Sequence, residues 1–170
     1  TMPEPPANPL RELIVETLAN ITTTHKCHEK EREILARRAG SIRAVNVVLT
    51  ALSSTGIVTV IVTAQPAAAW ATAIVTFCSL LFTLWQLQFR PEIEALAHKD
   101  AANEYVGLRN RCRALLADFD LDPNIAAIRA RYDQLIVELA ATTKKAPATS
   151  PTAFQLVKST TPTPIGDIPK

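Results

Sequence analysis

The sequence predicts an all-α membrane protein: a two-helix transmembrane hairpin with a cytoplasmic helical bundle formed by the N-terminal helix and a C-terminal helix pair. Three observations lead there. Residues 44–89 are 46 consecutive positions without Asp, Glu, Lys or Arg. Gln65-Pro66 interrupts that block near its middle. Apolar residues at alternating three- and four-residue steps recur on both sides of it.

A hydrocarbon core about 30 Å thick takes roughly 20 helical residues to cross, so the block holds two crossings. Pro66 stops one helix and opens the next, because the N–H that proline lacks has no partner in a first turn. The first span is placed at 42–63, the external turn at 64–69 and the second span at 67–89. Lys26, Lys30, Arg32, Arg37, Arg38 and Arg43 precede the spans, Arg90 and Lys99 follow, and the turn carries no Lys or Arg. Basic flanks stay cytoplasmic, which puts both termini inside a plasma membrane. A soluble buried hairpin also has helices that are apolar all round, but the polar flanks here are too poor to enclose one. The block also starts too late, and lacks the tripartite layout, for a cleaved signal peptide.

Residues 1–9 carry four prolines and read as extended. A cytoplasmic helix at 10–41 follows, with a heptad seam of Ile14, Leu18, Ile21, His25, His28, Arg32, Leu35, Ala39 and Ile42 that continues to Asn46. Gly40 is its weak point. Pro91 predicts a kink after the second span. Residues 91–141 then read as a helix pair, with Tyr105, Leu108, Cys112, Leu115 and Phe119 on one member and Ile125, Ile128, Tyr132, Leu135 and Leu139 on the other. Asp118, Asp120 and Asp122 mark the turn between them, Asp122 capping a helix that starts at Pro123. Residues 146–170, rich in Pro, Thr and Ser, read as a disordered tail with one apolar cluster, Phe154-Gln155-Leu156-Val157.

A net charge of +2 gives no case for a nucleic-acid partner. Cys27, Cys78 and Cys112 are expected as free thiols. The four glycines build no phosphate-cradling loop and no nucleophile–base constellation emerges, so neither catalysis nor a cofactor is expected. In His25-Lys26-Cys27-His28 the two histidines share a helix face while Cys27 points about 100° away. Only His98 remains as a further histidine, so no metal site is expected. Arg109, Arg113, Arg129 and Arg131 form a weak candidate anion-binding patch. The competing reading is a solvated face paired with Glu104, Asp118 and Asp133. A small transporter subunit would carry an ionisable residue within a span, and this one has none.

Within the spans, Thr72, Thr76, Ser79, Thr83 and Gln86 form a polar stripe at steps of four and three, matched on the first span by Asn46, Thr50 and Ser53. Trp70, Ile74, Phe77, Leu81 and Trp85 occupy the other side of the second span, its two Trp residues spaced as interfacial anchors. Two roles fit the stripes. Small hydroxylated residues let helices approach and bond back to their own backbone. Alternatively, several copies surround an axis and these eight residues line a hydrated path. Both need helix partners, so a homo-oligomer in the lipid bilayer is expected. Tyr105, Leu108, Cys112, Leu115, Ile128, Tyr132, Leu135 and Leu139 are its candidate seam.

The helix bearing His25-Lys26-Cys27-His28-Glu29-Lys30, the uncharged hairpin and the later Ala127-Ile128-Arg129 helix with Tyr132 together resemble the SLATT-domain family over residues 10–141. These are bacterial two-transmembrane effectors associated with nucleotide-based antiviral systems. The resemblance implies an inner-membrane effector that forms a pore, or disrupts the membrane, in an abortive-infection response. It also implies a trigger from outside the chain, either a nucleotide second messenger or a partner sensor protein. The alternative is a non-conducting, membrane-anchored scaffold that presents its helical bundle to a partner.

Overall fold

A computed structural model describes residues 8–63, 65–121 and 124–160. They form five helices and no strand: α1 (Pro9–Thr63), α2 (Pro66–Gln88), α3 (Pro91–Leu121), α4 (Ile125–Lys145) and α5 (Pro151–Thr160). Two compact units divide them. Residues 34–95 make one, and the chain before and after that stretch makes the other.

The 34–95 unit is the hairpin. The uncharged parts of α1 and α2 have mean hydropathies of 2.0 and 1.9, and both helices are long and apolar enough to cross a membrane. Gln65 is extended ahead of α2, and Phe89 is extended behind it. Pro91 does not kink a continuing helix as its position predicts; it opens α3 after a two-residue break. The N–H groups of Ile93 and Glu94 both donate to the Arg90 carbonyl there. Proline costs nothing at a first helical position, whereas mid-helix it removes a hydrogen bond and clashes with the preceding turn.

The half-buried positions of each span lie on one line: Ile42, Asn46, Leu49, Ser53, Gly56 and Val60 on α1, and Ala68, Thr72, Val75, Ser79, Phe82 and Gln86 on α2. Both lines step by four and three, the spacing that lets two helices keep facing one another. The spans approach closely at Gly56, where an added Cβ would lie 2.7 Å from the Thr72 Oγ1. Trp70, Ile74, Phe77 and Leu81 stand exposed on the outside, as a lipid-facing surface requires.

The second unit is a helical bundle. α1 and α3 run antiparallel: Arg11 pairs with Asp120, the Cys112 thiol donates to the Ile14 carbonyl, and His28 meets His98. α3 and α4 are antiparallel as well, through Tyr105–Thr143, Arg111–Glu138 and Asp118–Arg131. A 2.8 Å hydrogen bond between Thr17 and Tyr132 ties α1 to α4. Ile14, Ile21, Tyr105, Leu108, Cys112, Leu115, Ile128, Tyr132 and Leu135 form the core, with Leu139 packed at its edge.

Two expectations change here. Asp118 and Asp120 belong to the end of α3 and make ion pairs. Asn124 caps α4, accepting from the Ala127 N–H; Asp122 and Pro123 lie outside the described residues. The tail is not wholly without structure: 151–160 is helical, with Ala153 and Val157 buried. Ser150 caps that helix by accepting from the Ala153 N–H, and Pro151 fits its first position. Both the N–H and the hydroxyl of Ser150 donate to the buried Glu31 carboxylate. Within the predicted apolar cluster Val157 faces inward, while Phe154 and Leu156 are exposed.

Candidate functional site

Of the eight candidate pore-lining residues, five lie on the hairpin seam: Asn46 and Ser53 of α1, and Thr72, Ser79 and Gln86 of α2. Thr50, Thr76 and Thr83 are exposed beside it. The stripe therefore splits, for a geometric reason. Residues 72, 79 and 86 are one heptad apart and hold the seam line. The seam then advances by three, to Val75 and Phe82, while the stripe advances by four, to Thr76 and Thr83. At 100° per residue those two choices fall on opposite flanks of the line. The first span repeats the pattern, with Leu49 and Gly56 inside and Thr50 outside.

The outer hydroxyls satisfy themselves. Thr50, Ser54, Thr55, Thr59 and Thr83 each donate to the carbonyl four residues earlier. The seam differs. Asn46 Oδ1, Ser53 Oγ and Gln86 Nε2 are buried without a hydrogen-bond partner among the described residues. A buried polar atom left unpaired costs about 1–3 kcal/mol. Asn46 and Gln86 also line a cavity of about 280 Å³ at one end of the hairpin, with Arg43, Arg90 and Glu92 at its edge. The spans approach closely at Gly56 and Thr72, while these three polar atoms stay unpaired.

A family model for the SMODS and SLOG-associating 2TM effector domain, family 4, matches residues 10–160. The chain belongs to that family. No curated protein and no solved structure matches it. The match runs from the start of α1 to the end of α5, beyond the 10–141 over which the resemblance is legible in the sequence. The effector domain thus includes the short helix that the tail composition hides.

In the bundle of this SLATT domain, the eight candidate oligomer-seam residues receive an intrachain role. Seven sit in the core and Leu139 packs against it, so the chain's own helices pack along the seam that the sequence also offers to a second copy. Two of the four candidate anion-binding arginines are engaged in ion pairs. Arg129 pairs with Asp133 and Arg131 with Asp118, as the competing reading expects. Arg113 is exposed and Arg109 half-buried near His25.

Sequence alone does not reveal a buried contact between two histidines. His28 and His98 bring their Nδ1 atoms to 3.0 Å, and the His28 ring stacks on Tyr105. Burial holds His28 below its ordinary value of 6.5, with His98 and His25 acting the same way and Glu31 opposing. His25 is lowered by burial too, against Glu29 and with help from Arg109 and Lys26. A signal for His98 exists: it stands seven residues before Tyr105 and fourteen before Cys112, on the seam that both define. Among the described residues no cluster of three or more metal-ligating side chains forms. All three cysteines are free thiols, with Cys112 pushed up to about 11 by burial.

Proposed function

We propose that this SLATT domain is an oligomeric effector of the bacterial inner membrane, which opens a hydrated path and thereby arrests an infected cell. It has no catalytic step and needs no cofactor. Both termini are cytoplasmic, with residues 64–69 outside, because the basic residues gather at the hairpin's two ends. The trigger comes to the bundle from a sensor protein or a nucleotide second messenger.

One observation carries the reading. A hairpin that served only as an anchor gains nothing from Asn46, Ser53 and Gln86 along its seam, and three unpaired polar atoms weaken its closure. Water or ions supplied through an opened or shared seam would satisfy them, since hydroxyls and amides replace part of an ion's hydration without a fixed charge. Thr72 and Ser79 continue the same line. The seam residues therefore line the path, and Thr76 and Thr83 serve the outer surface.

Flux from liposomes containing the full chain, with and without candidate triggers, tests this. Changing Ser79 and Gln86 together to Leu should suppress flux, while changing Thr76 and Thr83 together to Leu should leave most of it. Equal flux from the seam variant and the unmodified chain, normalised to inserted protein, would reduce the seam to packing. No flux from any form under any trigger would favour the membrane-anchored scaffold.

A further inference from the structure

The cavity at the open end of the hairpin has a chemistry that the seam does not explain. Arg43 is the last charge before the uncharged block and Arg90 the first after it, and both line this cavity. Glu92 pairs with Arg43. Arg90 has no carboxylate partner among the described residues; its Nε donates to the Leu87 carbonyl at 3.4 Å. Two guanidinium groups against one carboxylate leave the cavity with net positive charge. Gln86 Nε2 is a buried donor without an acceptor here, and Asn46 Oδ1 a buried acceptor without a donor. Phe89 and Ile93 add apolar walls that are exposed to the surroundings, and Trp85 packs on the Phe89 ring at 5.0 Å.

We propose that this cavity binds the headgroup of an anionic glycerophospholipid, with the phosphodiester on Arg90 and Gln86 and a headgroup hydroxyl donating to Asn46. Basic pockets between membrane helices at the interface select such headgroups. The unpaired acceptor selects a headgroup that carries a hydroxyl. The exposed Phe89 and Ile93 select a ligand with acyl chains over a free phosphodiester. The site shares Asn46 and Gln86 with the seam, and its charge comes from Arg43 and Arg90, which lie off the seam line.

The test is native mass spectrometry of the full chain released from detergent after titration with phosphatidylglycerol, phosphatidylcholine or soluble glycerophosphoglycerol. Phosphatidylglycerol should bind about tenfold or more tightly than the other two, as expected for one charge-assisted hydrogen bond or more. R90Q and Q86L, which each lose a contact to the phosphodiester, should weaken phosphatidylglycerol binding about tenfold. R38Q, which removes an exposed arginine outside the cavity, should retain it. E92Q guards against loss by misfolding: freeing Arg43 should tighten phosphatidylglycerol binding several-fold. Equal binding of phosphatidylglycerol and phosphatidylcholine would overturn the site. So would an equal loss in R38Q and R90Q, which would signal diffuse basic attraction. Soluble glycerophosphoglycerol binding as tightly as the lipid would overturn the lipid assignment in favour of a free phosphodiester.

Discussion

At 3.0 Å, the facing Nδ1 atoms of His28 and His98 require one ring to donate and the other to accept, so the pair holds one proton between them. A second proton would set two N–H groups against each other in a site where both rings are buried. The sign of the pH dependence follows. His28 and His25 titrate below 6.5 in the folded chain, so between those lowered values and 6.5 the unfolded chain binds more protons. Their contribution to stability is complete above pH 6.5 and is lost as pH falls below it. Urea unfolding of the bundle, followed by Tyr fluorescence at pH 7.5 and 5.5, should show a lower midpoint at 5.5; an unchanged midpoint would refute the assignment. Changing His98 to Ala should cost about 1–3 kcal/mol at neutral pH, by leaving His28 Nδ1 buried and unpaired, and should flatten the pH dependence.

Each element shows a different degree of legibility. The hairpin is plain from sequence because loss of charge over 46 positions is a bulk property that no packing detail can override. Which face of each span turns inward is harder to read, since Thr76 and Val75 are one residue apart and only the partner helix decides between them. Gly56 makes that decision visible. Gly56→Val should force the spans apart at Thr72 and lower the melting temperature in detergent, the overpacking costing about 1–3 kcal/mol. Adding Thr72→Ala should recover part of the loss, which a general defect in helix propensity would not allow. α5 is the least legible element, because proline and threonine around it resemble an unfolded tail and its anchor, Glu31, lies 119 residues earlier. Ser150→Ala removes the cap and one of two bonds to that carboxylate, at a cost of about 0.5–2 kcal/mol for the cap alone. Hydrogen exchange at 152–160 should then rise, with the rest of the bundle unchanged.

For the whole molecule, the intrachain use of the bundle core changes what a core variant reports. Leu135→Asp buries an unpaired charge among α1, α3 and α4 and should unfold the bundle itself. A loss of assembly in that variant would be secondary, so oligomer contacts are better sought with substitutions at exposed Val137 and Ile125. Topology has an independent check: a Cys placed at Gln65 should react with an impermeant thiol reagent in intact cells, and one at Ala148 should not. Labelling at Ala148 from outside would reverse the orientation. The bundle's composition was readable from three heptad patterns, but their mutual registers were not, because pairings such as Thr17–Tyr132 and His28–His98 join residues far apart along the chain.

The bundle is also discontinuous in sequence, and that orders events during synthesis. Residues up to 33 leave the ribosome first, then the hairpin, and only afterwards the rest of the bundle. His28 waits 70 residues for His98, roughly 4–14 s at ordinary elongation rates. Throughout that interval Ile14, Ile21 and His28 present an uncovered stripe to whatever lies near the nascent chain. By the time Glu31 receives Ser150, the hairpin has long since emerged. Completion of the bundle is therefore a late event, reached only after the whole hairpin has left the ribosome.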